Sequence, residues 1–524
     1  MVKGRFFNTA GPCRAHEHYM VPPERRLPGV RELIGQGLYF VVHAPRQVGK
    51  TTCLRTLAEV LTAEGEVAAL HASCETGQVA RDDVEKGVSA VLYAIGREAQ
   101  YQLPEELRPP PVDEVSGVPP QSRLAEFLSR WSERCPRPVV LFLDEIDALM
   151  DDSLVSVLRQ LREGYVRRPA SFPSSLALIG LRDVRDYKGR LRPDAVSLGT
   201  ASPFNIKVES ITIRDFVAEE VVELLEQHAQ ETGQAFSAEA QAQVFEQTQG
   251  QPWMVNALAR QCIEVLVPQR DRTIEVADVE RAREILIQRR DTHLDSLIDK
   301  LREPRVRRVI EPILAGELLL GDRINDDMAY TEDLGLIKRQ GRHVRIANPI
   351  YHEVIPRALA SITQHTIPHE TEWYVDAEGK LDMRGLLEGF VEFWKEHGEA
   401  LLAHQPYPEV APHLVLMAFL QRVVNGGGFI DREYAVGSGR LDLCVRWPWS
   451  GGVQLEALEL KARRKERNPL SKGLDQLAAY LDRLGLERGV LVIFDQRPDA
   501  PELTERVAFE EEEHEGKAIT ILWL

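Results

Sequence analysis

Two groups of residues in this chain have the types and spacing to do chemistry on phosphates. The first is the loop Ala44-Pro-Arg-Gln-Val-Gly49-Lys50-Thr51-Thr52. Phosphate oxygens are held where backbone N–H groups converge at the start of a helix. Gly49 lets the chain approach closely, Lys50 neutralises the β and γ oxygens, and Thr51 offers its hydroxyl to Mg2+. The pattern is GxxxxGKT with Ala44 in place of the first glycine. Its complement is the apolar run Val139 to Leu143, which ends in Asp144 and Glu145. Asp144 would hold Mg2+ together with Thr51, and Glu145 would polarise an attacking water. The chemistry the two motifs share is binding and hydrolysis of ATP.

The second group is Asp442 in "RLDLCV" and Glu459 with Lys461 in "ALELKA". Alternation of period two puts Leu441, Leu443 and Val445 on one face of a strand and Asp442 on the other. In the next strand it places Glu459 and Lys461 together, opposite Leu458 and Leu460. Carboxylates from adjacent strands suit Mg2+ or Mn2+, and a neighbouring ammonium can orient water or stabilise charge on phosphorus. That is the chemistry of phosphodiester hydrolysis. Arg463, Arg464, Lys465 and Arg467 follow directly and form a local basic patch for a nucleic-acid backbone. The alternative is that these are the solvated faces of two ordinary strands.

These residues need elements to position them. "LYFVVHAPRQVGKTTCLRTLAEVL" changes from a β-prone run to a helical spacing across the loop. A further strand, Ser175 to Asp183, ends in Arg182-Asp183, and "TQGQPWMVNALARQC" carries Gly250 and Pro252 at a helix start. On these motifs residues 1–360 resemble the signal-transduction (STAND) and archaeal-type ATPases among the AAA+ relatives. The resemblance implies that Arg182 senses the γ-phosphate, that the Pro252 helix closes over the nucleotide, and that the chain works as a homo-oligomer.

From Leu318 to Leu359 a helix ending at Gly335, a hairpin around Gln340-Gly341 and a helix after Asn348-Pro349 predict a winged helix. Asp326, Asp327, Glu332 and Asp333 on its helix would repel phosphates, which favours a packing or switch module. Lys338, Arg339, Arg342 and Arg345 leave the wing able to touch a backbone. Beyond about Ser361 the chain turns polar, as a linker does.

Two helical stretches, "MRGLLEGFVEFWKEHGEALL" and "PHLVLMAFLQRVVN", then lead into the Asp442 and Glu459 strands. Gln476 and Tyr480 lie four apart on the helix that follows, and Gly489 to Phe494 supplies a closing strand. Residues 385–500 thus resemble the PD-(D/E)xK nuclease superfamily, with its α-β-β-β-α-β core, and the RecB-like QxxxY element. Leu441 stands where the family name has proline. The likeness implies Asp442 and Glu459 as metal ligands, Glu409 as an outer ligand, Lys461 acting on water, and Gln476 with Tyr480 positioning the strand.

The expected fold is therefore an α/β multidomain chain: a P-loop ATPase core (1–210), a helical lid (211–290), a winged helix (291–360), a linker (361–380) and a C-terminal restriction-endonuclease-like α/β domain (381–524). At 524 residues several cores are required. The net charge of −17 opposes coating by nucleic acid, so contact with DNA, or RNA, must be local. No apolar run reaches the ~20 residues of a membrane span. The N-terminus lacks a signal peptide's apolar stretch and the six cysteines are scattered without CxxC pairs, which points to the cytoplasm. Cys13, His16 and His18 lack a fourth ligand for zinc, so packing near the adenine is expected of them. A rival to the ATPase–nuclease reading is a signalling or scaffold ATPase whose C-terminal domain binds nucleic acid or protein without cutting.

Overall fold

A computed structural model describes residues 4–180, 209–289, 299–314, 319–320, 326–341, 343–364, 374–403, 411–425, 428–436, 439–463, 468–497, 499–501 and 503–524. The chain divides into two units, one made of Met1–His293, Arg323–Lys338 and Ala347–Ile350, the other of Leu294–Asp322, Arg339–Ile346 and Tyr351–Leu524.

The first unit runs α1 (Val30–Gly35), β1 (Tyr39–His43), α2 (Lys50–Glu64), β2 (Ala68–Ser73), α3 (Val84–Gln102), α4 (Pro120–Arg134), β3 (Val139–Asp144), α5 (Asp151–Gly164), β4 (Ser175–Gly180) and β5 (Glu209–Thr212). Four helices follow: α6 (Ala218–Thr232), α7 (Ala238–Thr248), α8 (Pro252–Arg260) and α9 (Val276–Arg289). The strands form one parallel sheet in the order β2-β3-β4-β1-β5. Runs such as "YFVVH" and "VVLFLD" are apolar throughout because helices cover both faces of a parallel sheet. Tyr39 and Val41 pack with α3, α4 and α5, whereas Phe40 and Val42 pack with α1 and α2. Each such side chain contributes about 2 kcal/mol on leaving water. Helices α6 to α9 close around a separate core that includes Phe7, Tyr19 and Val21 of the N-terminal segment.

The segment read as a winged helix contains α10 (Pro304–Leu314), β6 (Leu319–Leu320), α11 (Asp326–Asp333), β7 (Ile337–Gln340), β8 (His343–Ile346) and α12 (Pro349–Gln364). The sheet order is β6-β8-β7, with Gly341 between β7 and β8 at φ +62°. The elements match the expected order, but the division into units runs through them rather than around them. Helix α12 also continues to Gln364, past the Ser361 expected to open a linker.

The second unit continues with α13 (Met383–Ala403), α14 (Ala411–Asn425), β9 (Phe429–Val436), β10 (Gly439–Trp449), β11 (Gly452–Arg463), α15 (Leu470–Leu484), β12 (Arg488–Asp495), α16 (Leu503–Arg506), β13 (Ala508–His514) and β14 (Lys517–Trp523). Its six-stranded sheet has the order β13-β14-β12-β11-β10-β9. Strands β9, β10 and β11 are antiparallel neighbours, while β11 and β12 are parallel, so α15 is the crossover that a parallel pair requires. The expected succession of helix, three strands, helix and strand is present. Strands β13 and β14 extend it on the far side of β12 and were not foreseen.

One face of this sheet, including Leu443, Val445, Leu458 and Leu460, packs under α13 and α14. The opposite face is not solvated as simple alternation suggested. Cys444 and Ala457 are buried on it beneath α15.

Candidate functional sites

The first site forms at the carboxyl ends of β1 and β3, with β4 between them, where ligands of open α/β sheets are held. Helix α2 starts at Lys50 after Gly49, whose φ of +84° turns the loop into the helix. Lys50 Nζ donates to the carbonyl oxygens of Ala44 and Pro45, each at 2.8 Å. Burial pulls the Lys50 pKa below its ordinary value, against the opposing charges of Asp144, Asp147 and Glu145.

The Thr51 hydroxyl donates to Asp144 Oδ2 at 2.7 Å, and the Glu145 N–H donates to Asp144 Oδ1 at 2.9 Å. Asp144 is 1% exposed. Burial alone would push its carboxyl up, but hydrogen bonds from His71 and Thr51 and the charges of His71 and Lys50 hold it below the usual range. Glu145 behaves oppositely: burial and the neighbouring charges of Glu75, Asp144 and Asp147 raise it, despite a hydrogen bond from Ser73 Oγ at 3.3 Å. Thr51 and Asp144 present oxygen donors that fit a hard cation beside a triphosphate, and would be the residues to hold Mg2+. The Thr52 hydroxyl accepts the Cys13 N–H at 3.0 Å.

Pro252 is the first residue of α8 and is buried. Gly250 precedes it at φ +75°, where a Cβ would lie 1.9 Å from the Phe216 carbonyl oxygen, so no other residue fits. Gln251 caps α8 by accepting the Met254 N–H at 2.7 Å and reaches the Gln47 carbonyl at 3.4 Å. Helix α8 therefore begins against the loop that carries Gln47. Arg182 lies outside the described residues.

Sequence reasoning missed three partners here. His71 Nε2 meets Asp144 Oδ2 at 3.1 Å, Ser73 meets Glu145, and buried Arg26 braces the loop through the Val48 carbonyl at 2.6 Å. His71 and Ser73 alternate in the apolar run "AALHAS", which was a readable signal; Arg26 carried none. His18 accepts the Arg14 N–H and packs edge-on against Phe6, and His16 pairs with Glu17. No group of three metal-ligating side chains occurs among the described residues.

The second site lies where the β10–β11 pairing, in register from Leu443↔Leu458 to Trp449↔Gly452, comes to its end. There Asp442 Oδ2 accepts the Leu460 N–H at 2.8 Å, and the Asp442 N–H points to Glu459 Oε2 at 3.4 Å. Lys461 Nζ is 2.5 Å from Glu459 Oε1 and 3.9 Å from Asp442 Oδ2. The three residues thus converge. Glu459 is 2% exposed, and burial with the charge of Asp442 pushes its carboxyl up to about 7 against the pull of Lys461. Burial works against the Lys461 ammonium, but Asp442, Glu459 and the nearby Tyr480 raise its pKa above the ordinary value.

Tyr480 is buried on α15, and Gln476 on the same helix keeps a buried side-chain carbonyl oxygen without a hydrogen-bond partner. The helix lies against the lysine stem, since a Cβ at Gly473 would be 3.4 Å from Lys461 Cγ. Arg463 is 3.8 Å from Asp495, which Arg497 also holds at 2.7 Å. Glu409, Arg464 and Lys465 lie outside the described residues. In donor type Asp442 and Glu459 fit a hard divalent cation, as a pair of crowded carboxylates of which Glu459 is buried.

No helix among the described residues is long and apolar enough to cross a membrane. No protein-family model matches the chain, and no curated protein matches it either. Solved structures do show likeness. A Walker-type ATPase of Pyrococcus abyssi is 14% identical, with 67% of this chain and 99% of that one covered at a TM-score of 0.46. Cdc6p from Pyrobaculum aerophilum is 16% identical over 65% and 94% of the two chains, at 0.35. The Thermotoga maritima RuvB Holliday junction branch migration motor is 15% identical over 63% and 93%, at 0.34. At these scores the likenesses bear on nothing beyond themselves.

Proposed function

We propose that this chain binds and hydrolyses ATP with Mg2+ in its first unit and cleaves nucleic acid, DNA in the first place, with a metal-dependent site in its second. The ATP reading is supported by the parallel sheet with a phosphate loop at its carboxyl end and the Thr51–Asp144 hydrogen bond of 2.7 Å. The observation that carries the nuclease reading is the convergence of Asp442, Glu459 and Lys461 at the end of one strand pair.

In the first unit Lys50 would release the Ala44 and Pro45 carbonyls and turn to the β and γ oxygens, and Glu145 would accept a proton from the attacking water. The raised pKa of Glu145 suits a base that must later give that proton up. In the second unit Asp442 and Glu459 would hold Mg2+ or Mn2+, which when bound supplies Lewis acidity toward the phosphodiester. Lys461 would orient water or meet the developing negative charge. Gln476, with its unpartnered oxygen, and Tyr480 would position the strand, and Arg463 with Arg464 and Lys465 would hold its backbone. ATP state would govern when cleavage occurs, in a homo-oligomer, in defence against foreign DNA.

A second reading is binding without cleavage, in which Lys461 serves only to pair with Glu459 at 2.5 Å. Purified protein is incubated with linear, circular and single-stranded DNA, and with RNA, under Mg2+ or Mn2+, with and without ATP. Cleavage by the wild type, lost in Lys461→Ala and changed only in its ATP response in Lys50→Ala, supports the proposal. Retained ATP hydrolysis with no cleavage under any condition favours the scaffold.

A further inference from the structure

Asp144 has a further hydrogen-bond partner that neither motif supplies. His71 on β2 stands opposite Phe142 of β3 in the parallel register, one strand over from the acid. Its Nε2 lies 3.1 Å from Asp144 Oδ2, the same oxygen that receives the Thr51 hydroxyl at 2.7 Å. The backbone around the ring is fixed from the other side. Gln102 at the end of α3 accepts the His71 N–H at 3.2 Å and donates to the His71 carbonyl at 2.8 Å, and it is itself held by Glu98 at 2.9 Å. With the Glu145 N–H on Oδ1, both oxygens of Asp144 are engaged and the carboxylate has one orientation. An ionised carboxylate only accepts, so the His71 nitrogen facing it carries the proton.

We infer that His71 is a positioning residue for the metal-nucleotide site: it holds Asp144 in the rotamer that meets Thr51, and so sets the affinity for the Mg2+ that accompanies a bound nucleoside triphosphate. The inference rests on the nucleotide reading of the first unit. Ligand orientation by outer hydrogen bonds is a general property of metal sites, and loss of such a partner typically costs about 10–100-fold in metal affinity. Two features make the role specific. His71 is 4% exposed and Asp144 1%, so water does not replace the lost donor. The bond also reaches the oxygen shared with Thr51, so its loss frees Asp144 at the point where the cation is held.

The test is the Mg2+ demand of nucleotide binding, read with a fluorescent ATP analogue titrated over a Mg2+ series and in EDTA. His71→Leu is expected to raise the Mg2+ concentration for half-maximal enhancement about tenfold while leaving affinity in EDTA unchanged. His71→Gln, whose amide N–H reaches the same place, is expected to restore the wild-type demand; His71→Asn, one methylene shorter, is not. A role in packing alone would lower the melting temperature and leave the Mg2+ series untouched in every variant, which overturns the inference. Should His71→Leu fail to fold, the contrast between Gln and Asn decides by the same criterion. Wild-type protein that binds no nucleotide overturns the nucleotide reading itself, an outcome distinct from wild-type binding with an unchanged Mg2+ demand in the variants.

Discussion

The Thr51 hydroxyl donates to Asp144 Oδ2 at 2.7 Å, closing a hydrogen bond between residues 93 positions apart. Thr51 is the second residue of α2 and Asp144 the last of β3, and β4 lies between β1 and β3 in the sheet. Lys50→Ala is expected to weaken nucleotide binding by about 10²-fold or more, because the ammonium that would meet the β and γ oxygens is lost. Thr51→Ala is expected to act chiefly on the Mg2+ requirement. Titration with a fluorescent nucleotide, with and without Mg2+, separates the two.

Asp442→Asn and Lys461→Ala are each expected to lower cleavage by about 10²-fold or more, the scale of losing an acid–base or charge-stabilising group. Binding should persist in Lys461→Ala. A gel assay of cleavage paired with a filter-binding assay in EDTA checks both; full cleavage by either variant removes the site assignment.

With a cation at Glu459, the second unit is expected to respond to pH and to cations together. Its carboxyl is raised from the ordinary 4.5 to about 7 by burial and by Asp442, so the folded state holds a proton the unfolded state releases. Its contribution to stability is present below pH 4.5 and is lost as pH rises from there to about 7. A divalent cation held by Glu459 would replace that proton. The gain in melting temperature from Mg2+ or Mn2+ is therefore expected to be small at pH 5 and larger at pH 8, and to vanish in Glu459→Gln. A gain that is the same at both pH values would count against a cation at this carboxylate.

Gly250→Ala sets a methyl group against the Phe216 carbonyl, 1.9 Å from where the Cβ would sit. A loss of at least about 2 kcal/mol is expected, with the start of α8 displaced. Gly233 also has positive φ, +80°, but faces open space, and Gly233→Ala should cost about 1 kcal/mol. Thermal unfolding of the two variants isolates the clash from the backbone term.

Nucleic-acid binding is expected to fall steeply with salt, and Arg463→Ala to reduce the slope of log affinity against log salt by about one. Charge removal at Arg345 on the wing should leave that slope unchanged. The reverse pattern would move the interface to the winged helix.

Much of this was legible in one dimension. The phosphate loop and the acidic strand end are local patterns, since a helix start after Gly49 and a carboxylate after five apolar residues state their own geometry. The change of period from two to three or four set most elements, and the ExK spacing placed Glu459 and Lys461 on one face. Residues whose meaning depends on register were not legible. His71 and Ser73 matter only because β2 pairs with β3, which brings them to Asp144 and Glu145. The burial of Glu459 and of the Cys444 face depends on α15 crossing over the sheet, and alternation alone made that face solvated. Strands β13 and β14 join through a parallel pairing with β12 that no spacing announces. Which groups could meet phosphates and metals was already marked along the chain, because side-chain chemistry and local periodicity are properties of neighbours. Which of them share an oxygen or lie buried under a helix was settled only on folding, because pairing and packing join residues that the chain keeps far apart.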